Sequence, residues 1–268
     1  MTDIGERRGL GAAVRRWKRL RRANVFLKYG YLFPKADGPA ILADYRAVYA
    51  HTQLSVIGLF NLEIIARAMV ARGLPGAFVE CGTWRGGALA YWARAVKRLG
   101  GDMSRHHIFG FDSFEGMPHM TPQDGAATAR WLYGSEAKAA GASGELSATG
   151  HNVAPIEFAR RVAAESGYDP ARVHLVKGWF QDSLPPLLDT IGPIAVLRLD
   201  ADFYESTRFC LATLWDRVIP GGHVVIDDYG TFEGCRLAVD EFLAGPGRGL
   251  PLHYVSPGIR YLVKAEPS

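Results

Sequence analysis

Apolar and polar positions along this chain follow two different periods, and the change between them predicts where helices and strands lie. Apolar residues recur at helical spacing from Ile41 to Arg72, and Gly73 and Pro75 end the pattern. Beyond residue 76, short apolar runs alternate with amphipathic segments. The apolar runs, which predict strands, are residues 77–82, 106–112, 172–178, 194–200 and 221–229. The amphipathic segments, which predict helices, are residues 88–99, 154–166, 207–218 and 232–243.

Five apolar strands separated by amphipathic helices predict an α/β protein in which a parallel sheet carries helices on both faces. The residues on either side of Pro257-Gly258 predict a closing hairpin. Segment 113–152 is rich in Gly, Ala and Ser and has weak periodicity, which indicates a poorly structured connection. Long connections of this kind are usually functional lids or disordered inserts, so we expect a lid insert here.

The composition fits one large globular domain, because 48% of the 268 residues are hydrophobic and 22% are charged. The net charge of +4 is unevenly distributed: residues 1–28 hold nine Lys or Arg and two acids, and the rest holds 22 basic and 25 acidic side chains. We therefore expect a basic arm, residues 1–40, and a folded domain, residues 41–268. The cluster Arg15–Arg22 is suited to nucleic acid or an anionic membrane surface, or is a solvated basic helix.

The sequence shows no sign of membrane insertion or secretion. No apolar run approaches the roughly 18 residues that a membrane-spanning helix needs. The basic start lacks an apolar core and a small-residue cleavage site, so we expect no secretory signal. The three cysteines, Cys81, Cys210 and Cys235, are odd in number and widely spaced. We therefore expect reduced thiols in a cytoplasmic protein.

A glycine-rich turn, with the sequence ECGTWRGG at residues 80–87, follows the first predicted strand. Its glycines allow a tight turn and close approach of a ligand before a helix N-terminus. The pattern is neither GxGxxG nor a P-loop. Because an acid, Glu80, precedes the glycines, the turn suits a cationic ligand group better than a pyrophosphate. A plain strand-to-helix turn is the alternative.

Asp112 and Ser113 follow the second predicted strand. A carboxylate at this place in a doubly wound sheet typically accepts hydrogen bonds from ribose hydroxyls. Capping of the following turn is the alternative. An acid near a glycine-rich turn, together with an acid that binds ribose, indicates a nucleoside that carries positive charge. S-adenosylmethionine fits, since it has both an ammonium and a sulfonium group.

Four aspartates follow the fourth and fifth predicted strands: Asp200, Asp202, Asp227 and Asp228. Asp200 and the pair Asp227-Asp228 would lie within a few ångströms of one another, where like charges repel. A hard divalent cation such as Mg²⁺ or Ca²⁺ would remove this repulsion, since both prefer oxygen ligands. The alternative is a set of salt bridges, for which the nearby arginines are Arg198, Arg208 and Arg236.

Two residues are candidates for a general base. Asp202 lies two residues beyond Asp200 and could reach the same cleft, where it would remove a proton from a substrate hydroxyl. The alternative is that Asp202 caps the helix that begins near Glu205. His151, at the end of the insert, is the rival base, although a histidine with no spacing relation to the acids is more often a surface residue.

Five segments of the chain, which include the glycine-rich turn and the aspartates, are FVECGTWRGG, GFDSFEGMP, VKGWFQDSLP, LRLDADFYEST and GGHVVIDDYG. In order and spacing they resemble the macrocin O-methyltransferase family, whose members act on sugar hydroxyls of macrolides, aminocoumarins and related natural products. The resemblance extends from about Asp44 to Ala265. It implies a Rossmann-like class I methyltransferase fold with a mostly parallel seven-stranded sheet, S-adenosylmethionine as methyl donor, and Mg²⁺ held by three aspartates.

The resemblance also implies roles for individual residues. It assigns the metal to Asp200, Asp227 and Asp228, and removal of the proton to Asp202. The cofactor-binding residues that it implies are Ser55, Glu80, Gly82, Thr83, Trp84, Asp112, Ser113, Trp179 and Asp182, with a loose match at Ser55.

We therefore expect a Mg²⁺-dependent O-methyltransferase that methylates a sugar hydroxyl of a glycosylated secondary metabolite. A catechol-type O-methyltransferase is the second hypothesis, because adjacent phenolic oxygens also chelate Mg²⁺, and a non-catalytic nucleoside-binding module is the third. We expect a small-molecule glycoside as substrate, no nucleic-acid partner, no stable membrane insertion, and a homo-oligomer of two or more copies. Residues 119–152 are unlike the family's lid, so the resemblance does not identify the acceptor.

Overall fold

The computed structural model describes residues 33–133 and 145–266. The described residues divide after Ala47 into two units, with residues 33–47 in the first and the described residues from Val48 onward in the second. The predicted basic arm, residues 1–40, lies outside the described residues except for residues 33–40. Within the described ranges, no helix combines the length and the apolar character that crossing a membrane requires.

Helices and strands alternate over most of the described chain. The helices are α1 (Gly38–Val48), α2 (Val56–Arg72), α3 (Gly87–Arg98), α4 (Gly125–Tyr133), α5 (Ile156–Glu165), α6 (Phe180–Ser183), α7 (Leu188–Ile191), α8 (Tyr204–Leu214) and α9 (Glu233–Ala244). The strands are β1 (Ala77–Cys81), β2 (Ile108–Asp112), β3 (Val173–Lys177), β4 (Ile194–Leu199), β5 (Val218–Ile226), β6 (His253–Tyr254) and β7 (Arg260–Val263). Short 3₁₀ turns lie at Met103–Arg105, Pro122–Asp124, Pro170–Arg172, Pro185–Leu187 and Trp215–Arg217.

The strands of the described residues form one seven-stranded sheet in the order β3-β2-β1-β4-β5-β7-β6. Strands β1 to β5 pair in parallel, and β7 runs antiparallel to both β5 and β6. The predicted α/β fold with a mostly parallel sheet is therefore confirmed. The chain order reverses between β1 and β4, and ligands bind at such a switch point beyond the carboxyl ends of the strands.

Alternate side chains of the central strands face two different layers of helices. On one face, Val79 of β1 belongs to a buried cluster with Leu211 of α8 and Val239 of α9. On the other face, Phe78 stacks on Trp92 of α3 with ring centroids 4.8 Å apart. Helices therefore cover both faces, as the periodicity predicted.

The predicted helical zone from Ile41 to Arg72 is two helices instead of one, because α1 ends at Val48 and α2 begins at Val56. Ser55 caps α2, since its side chain accepts a hydrogen bond from the amide of Gly58 at 3.1 Å. Serine is favoured at this position because its hydroxyl satisfies one of the free N–H groups at a helix start.

Part of the predicted insert, residues 113–152, is helical instead of poorly structured. The turn Pro122–Asp124 leads directly into α4. Thr121 and Asp124 form a capping box, and Pro122 occupies the first position of the turn. These are sequence signals of a helix start that weak periodicity concealed. Residues 134–144 of the insert lie outside the described residues.

A buried acid links α2 to α3. Glu63 is fully buried and forms ion pairs with Arg67, at 2.9 Å, and with Arg98, at 2.6 Å. The hydroxyl of Tyr91 donates a third, longer hydrogen bond to it at 3.4 Å. A buried carboxylate is tolerated only when partners of this kind replace its hydration.

We predict that Glu63→Gln lowers the free energy of unfolding by about 2 kcal/mol, because the ion pairs of Glu63 with Arg67 and Arg98 are replaced by weaker contacts to a neutral amide of the same shape. Urea unfolding measures this change. The matched control is Glu157→Gln, since Glu157 forms an exposed ion pair with Arg160 at 3.6 Å and such pairs contribute little. Equal stability of the two variants would contradict the prediction.

Candidate active site

The glycine-rich turn brings the end of β1 against the end of β4. Gly82 has a φ of 94°, and a Cβ at this position would collide with the carbonyl oxygen of Asp200. Only glycine is therefore compatible with this close approach. Trp84, in the same turn, also has a left-handed backbone, and its amide donates a hydrogen bond to Asp112 at 2.8 Å.

Asp112 joins the turn to the loop that follows β2. Its Oδ2 accepts from the Trp84 amide and its Oδ1 from the Phe114 amide, at 2.6 Å. The predicted capping role is thus confirmed, and the carboxylate also lines the cavity described below. Burial raises the pKa of this carboxyl group. Ser113 donates from its hydroxyl to the carbonyl oxygen of Gly116 at 2.7 Å.

Three carboxylates converge beyond the ends of β4 and β5. Asp200, Asp202 and Asp228 each offer an oxygen within 4.8 Å of the others. Asp202 has a left-handed backbone with a φ of 57°, and the residue at the N-cap of α8 is Phe203. The amide of Tyr204 instead donates to Asp124 at 2.7 Å. The alternative of a helix cap for Asp202 was therefore wrong.

Arg198 binds the carboxylates on either side of this edge. Its Nη1 lies 2.9 Å from Glu80, and its Nη2 lies 3.0 Å from both Asp200 and Asp227. Glu80 and Arg198 are paired positions in the register of β1 and β4, so their side chains share one face of the sheet. The arginine is 2% exposed. The predicted alternative of a salt bridge to Arg198 is therefore confirmed for Asp200 and Asp227.

The other two candidate arginines have different partners. Arg208 pairs with Glu205 at 2.8 Å. Arg236 donates to the carbonyl oxygen of Tyr229 at 3.3 Å. Both of these arginines are exposed, so Arg198 is the candidate that neutralises the buried acids at the strand ends.

Burial and mutual repulsion act together on the acids around Arg198. Burial raises the pKa of Glu80 to about 8 and that of Asp227 to about 7, although Arg198 acts in the opposite direction on both. The pKa values of Asp202 and Asp228 are also raised, by burial and by the neighbouring carboxylates. If all of them were ionised, these acids would carry more negative charge than one guanidinium neutralises.

Several oxygens of this cluster lack a partner among the described residues. Asp227 Oδ1 and Asp228 Oδ2 are buried and accept no hydrogen bond there. Buried acceptors without partners are costly, and carboxylate oxygens are the ligands that Mg²⁺ prefers. The donor set therefore fits a hard divalent cation.

One cavity of about 340 Å³ joins the glycine-rich turn to the acid cluster, a volume typical of small-molecule sites. Most of the residues predicted for the site line it. They are Ser55, Gly82, Thr83, Trp84, Asp112, Ser113, Trp179, Asp200, Asp202, Asp227 and Asp228.

Three predicted site residues lie outside the lining. Glu80 is fully buried on Arg198. Asp182 is exposed on α6, although Trp179, just before that helix, borders the cavity. The ring of His151 lies against Tyr133, with centroids 5.8 Å apart, and its neighbour Asn152 lines the cavity instead.

The sequence interpretation missed several residues that line the cavity. They are His51, Gln53, Trp131, Asn152 and Phe232. Non-glycine residues in the left-handed region mark this part of the described chain: Trp84, Asn152 and Asp202 line the cavity, and Phe114 follows Ser113. Such strained backbone is concentrated at functional sites, but no sequence pattern reveals it at Trp84.

The fold and the site together define a Rossmann-like class I methyltransferase. Among solved structures, that of the O-methyltransferase NovP superposes with a TM-score of 0.65 at 30% sequence identity, and covers 81% of this chain and 83% of that one. The seven-stranded sheet with one reversed strand and the cavity at its switch point agree with that fold.

Residues 42–256 match the macrocin-O-methyltransferase (TylF) family, and the chain belongs to this family. An 8-demethyl-8-(2,3-dimethoxy-alpha-L-rhamnosyl)-tetracenomycin-C 4'-O-methyltransferase of Streptomyces olivaceus is 36% identical over 222 residues, 82% of this chain and 77% of that protein. The mycinamicin III 3''-O-methyltransferase of Micromonospora griseorubida is 32% identical over 199 residues, 74% of this chain and 72% of that protein. Its relatives are O-methyltransferases, and the protein is accordingly a methyltransferase.

We predict that Glu80 and Arg198 are strongly coupled in stability. Arg198→Met should lower the free energy of unfolding by about 3 kcal/mol or more, because Glu80 is left buried without its counter-charge. In the double variant with Glu80→Gln, the loss should be smaller than the sum of the single losses by at least about 1 kcal/mol. Urea unfolding in the presence of EDTA measures the cycle.

The control for this cycle is the exposed pair formed by Glu205 and Arg208. Glu205→Gln and Arg208→Met should give additive and small effects, as exposed ion pairs do. Additive losses at Glu80 and Arg198 would show that the buried pair is not coupled.

Proposed function

We propose that this protein is a Mg²⁺-dependent O-methyltransferase that transfers a methyl group from S-adenosylmethionine to a sugar hydroxyl of a glycosylated secondary metabolite. One observation carries the proposal: a single cavity is lined both by the glycine-rich turn with Asp112 and by the acid cluster at the ends of β4 and β5. A methyl donor and a hydroxyl acceptor bound at these two ends would meet inside it. The rhamnosyl group in the name of the Streptomyces olivaceus relative supports the choice of acceptor.

The cofactor would bind at the β1 and β2 end of the cavity. Gly82 lets the turn after β1 lie against the backbone of Asp200, and Asp112, held by two amides, keeps acceptor capacity for ribose hydroxyls. Trp179 and Ser55 form further parts of the wall. Glu80 acts from beneath the cavity, since it holds the guanidinium of Arg198.

The cation would be held by Asp200, Asp227 and Asp228. Asp227 binds Arg198 through Oδ2 and keeps the partnerless Oδ1 for the cation, and Asp228 keeps Oδ2. The oxygens that approach one another within 4.8 Å belong to Asp200, Asp202 and Asp228. The two sets share Asp200 and Asp228, so the assignment of Asp202 and Asp227 is what an experiment has to decide.

When bound, S-adenosylmethionine supplies the methyl group, and Mg²⁺ makes the acceptor hydroxyl more acidic. Asp202 receives the proton of this hydroxyl on a carboxylate oxygen. Its left-handed backbone directs the loop after β4 towards the cavity. The cavity walls orient the two reactants, which lowers the activation free energy by roughly several kcal/mol.

The charge of the cavity also bears on the molecules that this protein binds. We propose a small-molecule glycoside as substrate, with no role for nucleic acid, since four acids line the reacting end of the cavity. Assembly into a homo-oligomer of two or more copies stays a prediction.

Metal binding and turnover, measured on the same variants, separate the proposed roles of Asp202 and Asp227. We expect Asp202→Asn to bind Mn²⁺ as the wild type does and to lose methyl transfer by about a hundredfold or more, because it lacks the base. We expect Asp227→Asn to lose both. Electron paramagnetic resonance measures Mn²⁺ binding to the protein without cofactor. The mass gain of an aryl rhamnoside measures transfer. Rhamnose is chosen because the name of one relative contains a rhamnosyl group.

Glu205→Gln is the matched control, because this acid is close in sequence but pairs on the surface with Arg208. It should change neither measurement. If Asp202→Asn abolishes Mn²⁺ binding while Asp227→Asn retains it, the proposed ligand set is wrong. Absence of transfer to a panel of glycosides by the wild type would contradict the proposed function.

A further inference from the structure

We propose that Trp131 and Phe232 form an aromatic platform that binds a flat, uncharged ring attached to the sugar that is methylated. The acceptor class is therefore an aryl or polycyclic glycoside, and neither a free sugar nor a sugar nucleotide. This inference rests on the proposed function and deepens it, since it concerns the acceptor end of the same cavity.

The platform is an edge-to-face pair of aromatic rings. The ring centroids of Trp131 and Phe232 lie 5.3 Å apart with an interplanar angle of 78°. Both residues line the cavity. Phe232 is buried, but Trp131 is 63% exposed, so much of the indole surface is open to a ligand. Aromatic surface of this extent gains free energy when another ring covers it.

The helix that carries Trp131 is fixed to the two helices behind the acid cluster. Asp124, fully buried before α4, accepts a hydrogen bond from the Tyr204 amide at the start of α8. Glu233, the first residue of α9, accepts from the Ala127 amide of α4 at 3.2 Å. The indole is thereby held in a defined place relative to the acids.

The platform is directly connected to the acid cluster. The Phe232 amide donates to the carbonyl oxygen of Asp228 at 3.0 Å. Phe203, next to Asp202, packs edge-to-face on Phe232 with centroids 6.2 Å apart. A sugar hydroxyl at the acids would therefore leave the neighbouring group of the acceptor beside the aromatic rings.

The side chains that line the described cavity disfavour a diphosphate at the acceptor end. Arg198 is the only Arg or Lys among the described residues that line the cavity, and it is bound to three carboxylates. A nucleotide sugar would bring phosphate charges into a cavity whose described lining offers no arginine or lysine free to pair with them. An uncharged apolar ring fits both the aromatic surface and the charge.

Binding of two rhamnosides that differ only in the aglycone tests the platform. The probes are 4-nitrophenyl α-L-rhamnopyranoside and methyl α-L-rhamnopyranoside, with dTDP-L-rhamnose as a third ligand. Titration followed by protein NMR gives each Kd in the presence of S-adenosylhomocysteine. We expect the wild type to bind the aryl glycoside about five to ten times more tightly than the methyl glycoside, and Trp131→Ala to abolish this ratio.

Trp131→Phe should retain part of the ratio. Tyr254→Ala should retain all of it, because Tyr254 is equally exposed, at 65%, but does not line the cavity. Thermal melting checks that Trp131→Ala folds as the wild type does, as expected for an exposed side chain.

Three results would overturn the platform: an aryl preference that persists in Trp131→Ala, no aryl preference in the wild type, or tighter binding of dTDP-L-rhamnose than of the aryl glycoside. Each of them leaves methyl transfer to glycosides intact as a function. A Trp131-dependent aryl preference without any methyl transfer would support the platform and contradict the proposed function instead.

Discussion

The arrangement of the whole site depends on the ion pairs that the guanidinium of Arg198 forms with the carboxylates around it. It binds Glu80 from β1, Asp200 beyond β4 and Asp227 beyond β5, and so connects three neighbouring strand ends. Without this charge, the carboxylates would be buried together with no compensation. The same pairing explains why Glu80 lies beneath the cavity and not in its wall. One arginine thus allows the sheet to present several acids at its switch point.

The two ends of the cavity are built in different ways. The β1 and β2 end is built from backbone: a glycine that permits close approach and a carboxylate held by two amides. The β4 and β5 end is built from side chains that compete for one guanidinium and leave oxygens for a cation. Left-handed residues at both ends, Trp84 and Asp202 among them, indicate that the surrounding structure fixes these positions before ligands bind.

The sequence predicted the features that follow from periodicity and from the position of residues along strands. The strands were located because buried parallel strands need continuous apolar runs, and acids after these runs must meet at one sheet edge. Arg198 was only one of three candidate partners, because its pairing with Glu80 depends on the strand register. Trp131 was missed because α4 depends on a capping box in a segment of weak periodicity. His151 was chosen on chemistry alone, and the adjacent Asn152 lines the cavity in its place.

We propose that the acids held by Arg198 form the cation site of this methyltransferase. A crystal structure with Mn²⁺ and S-adenosylhomocysteine, with data collected at the manganese absorption edge, tests the proposed site. We expect one anomalous peak within coordination distance of Asp200, Asp227 and Asp228, while Arg198 remains bound to Glu80. No peak at this edge of the sheet, or a peak held by other residues, would contradict it.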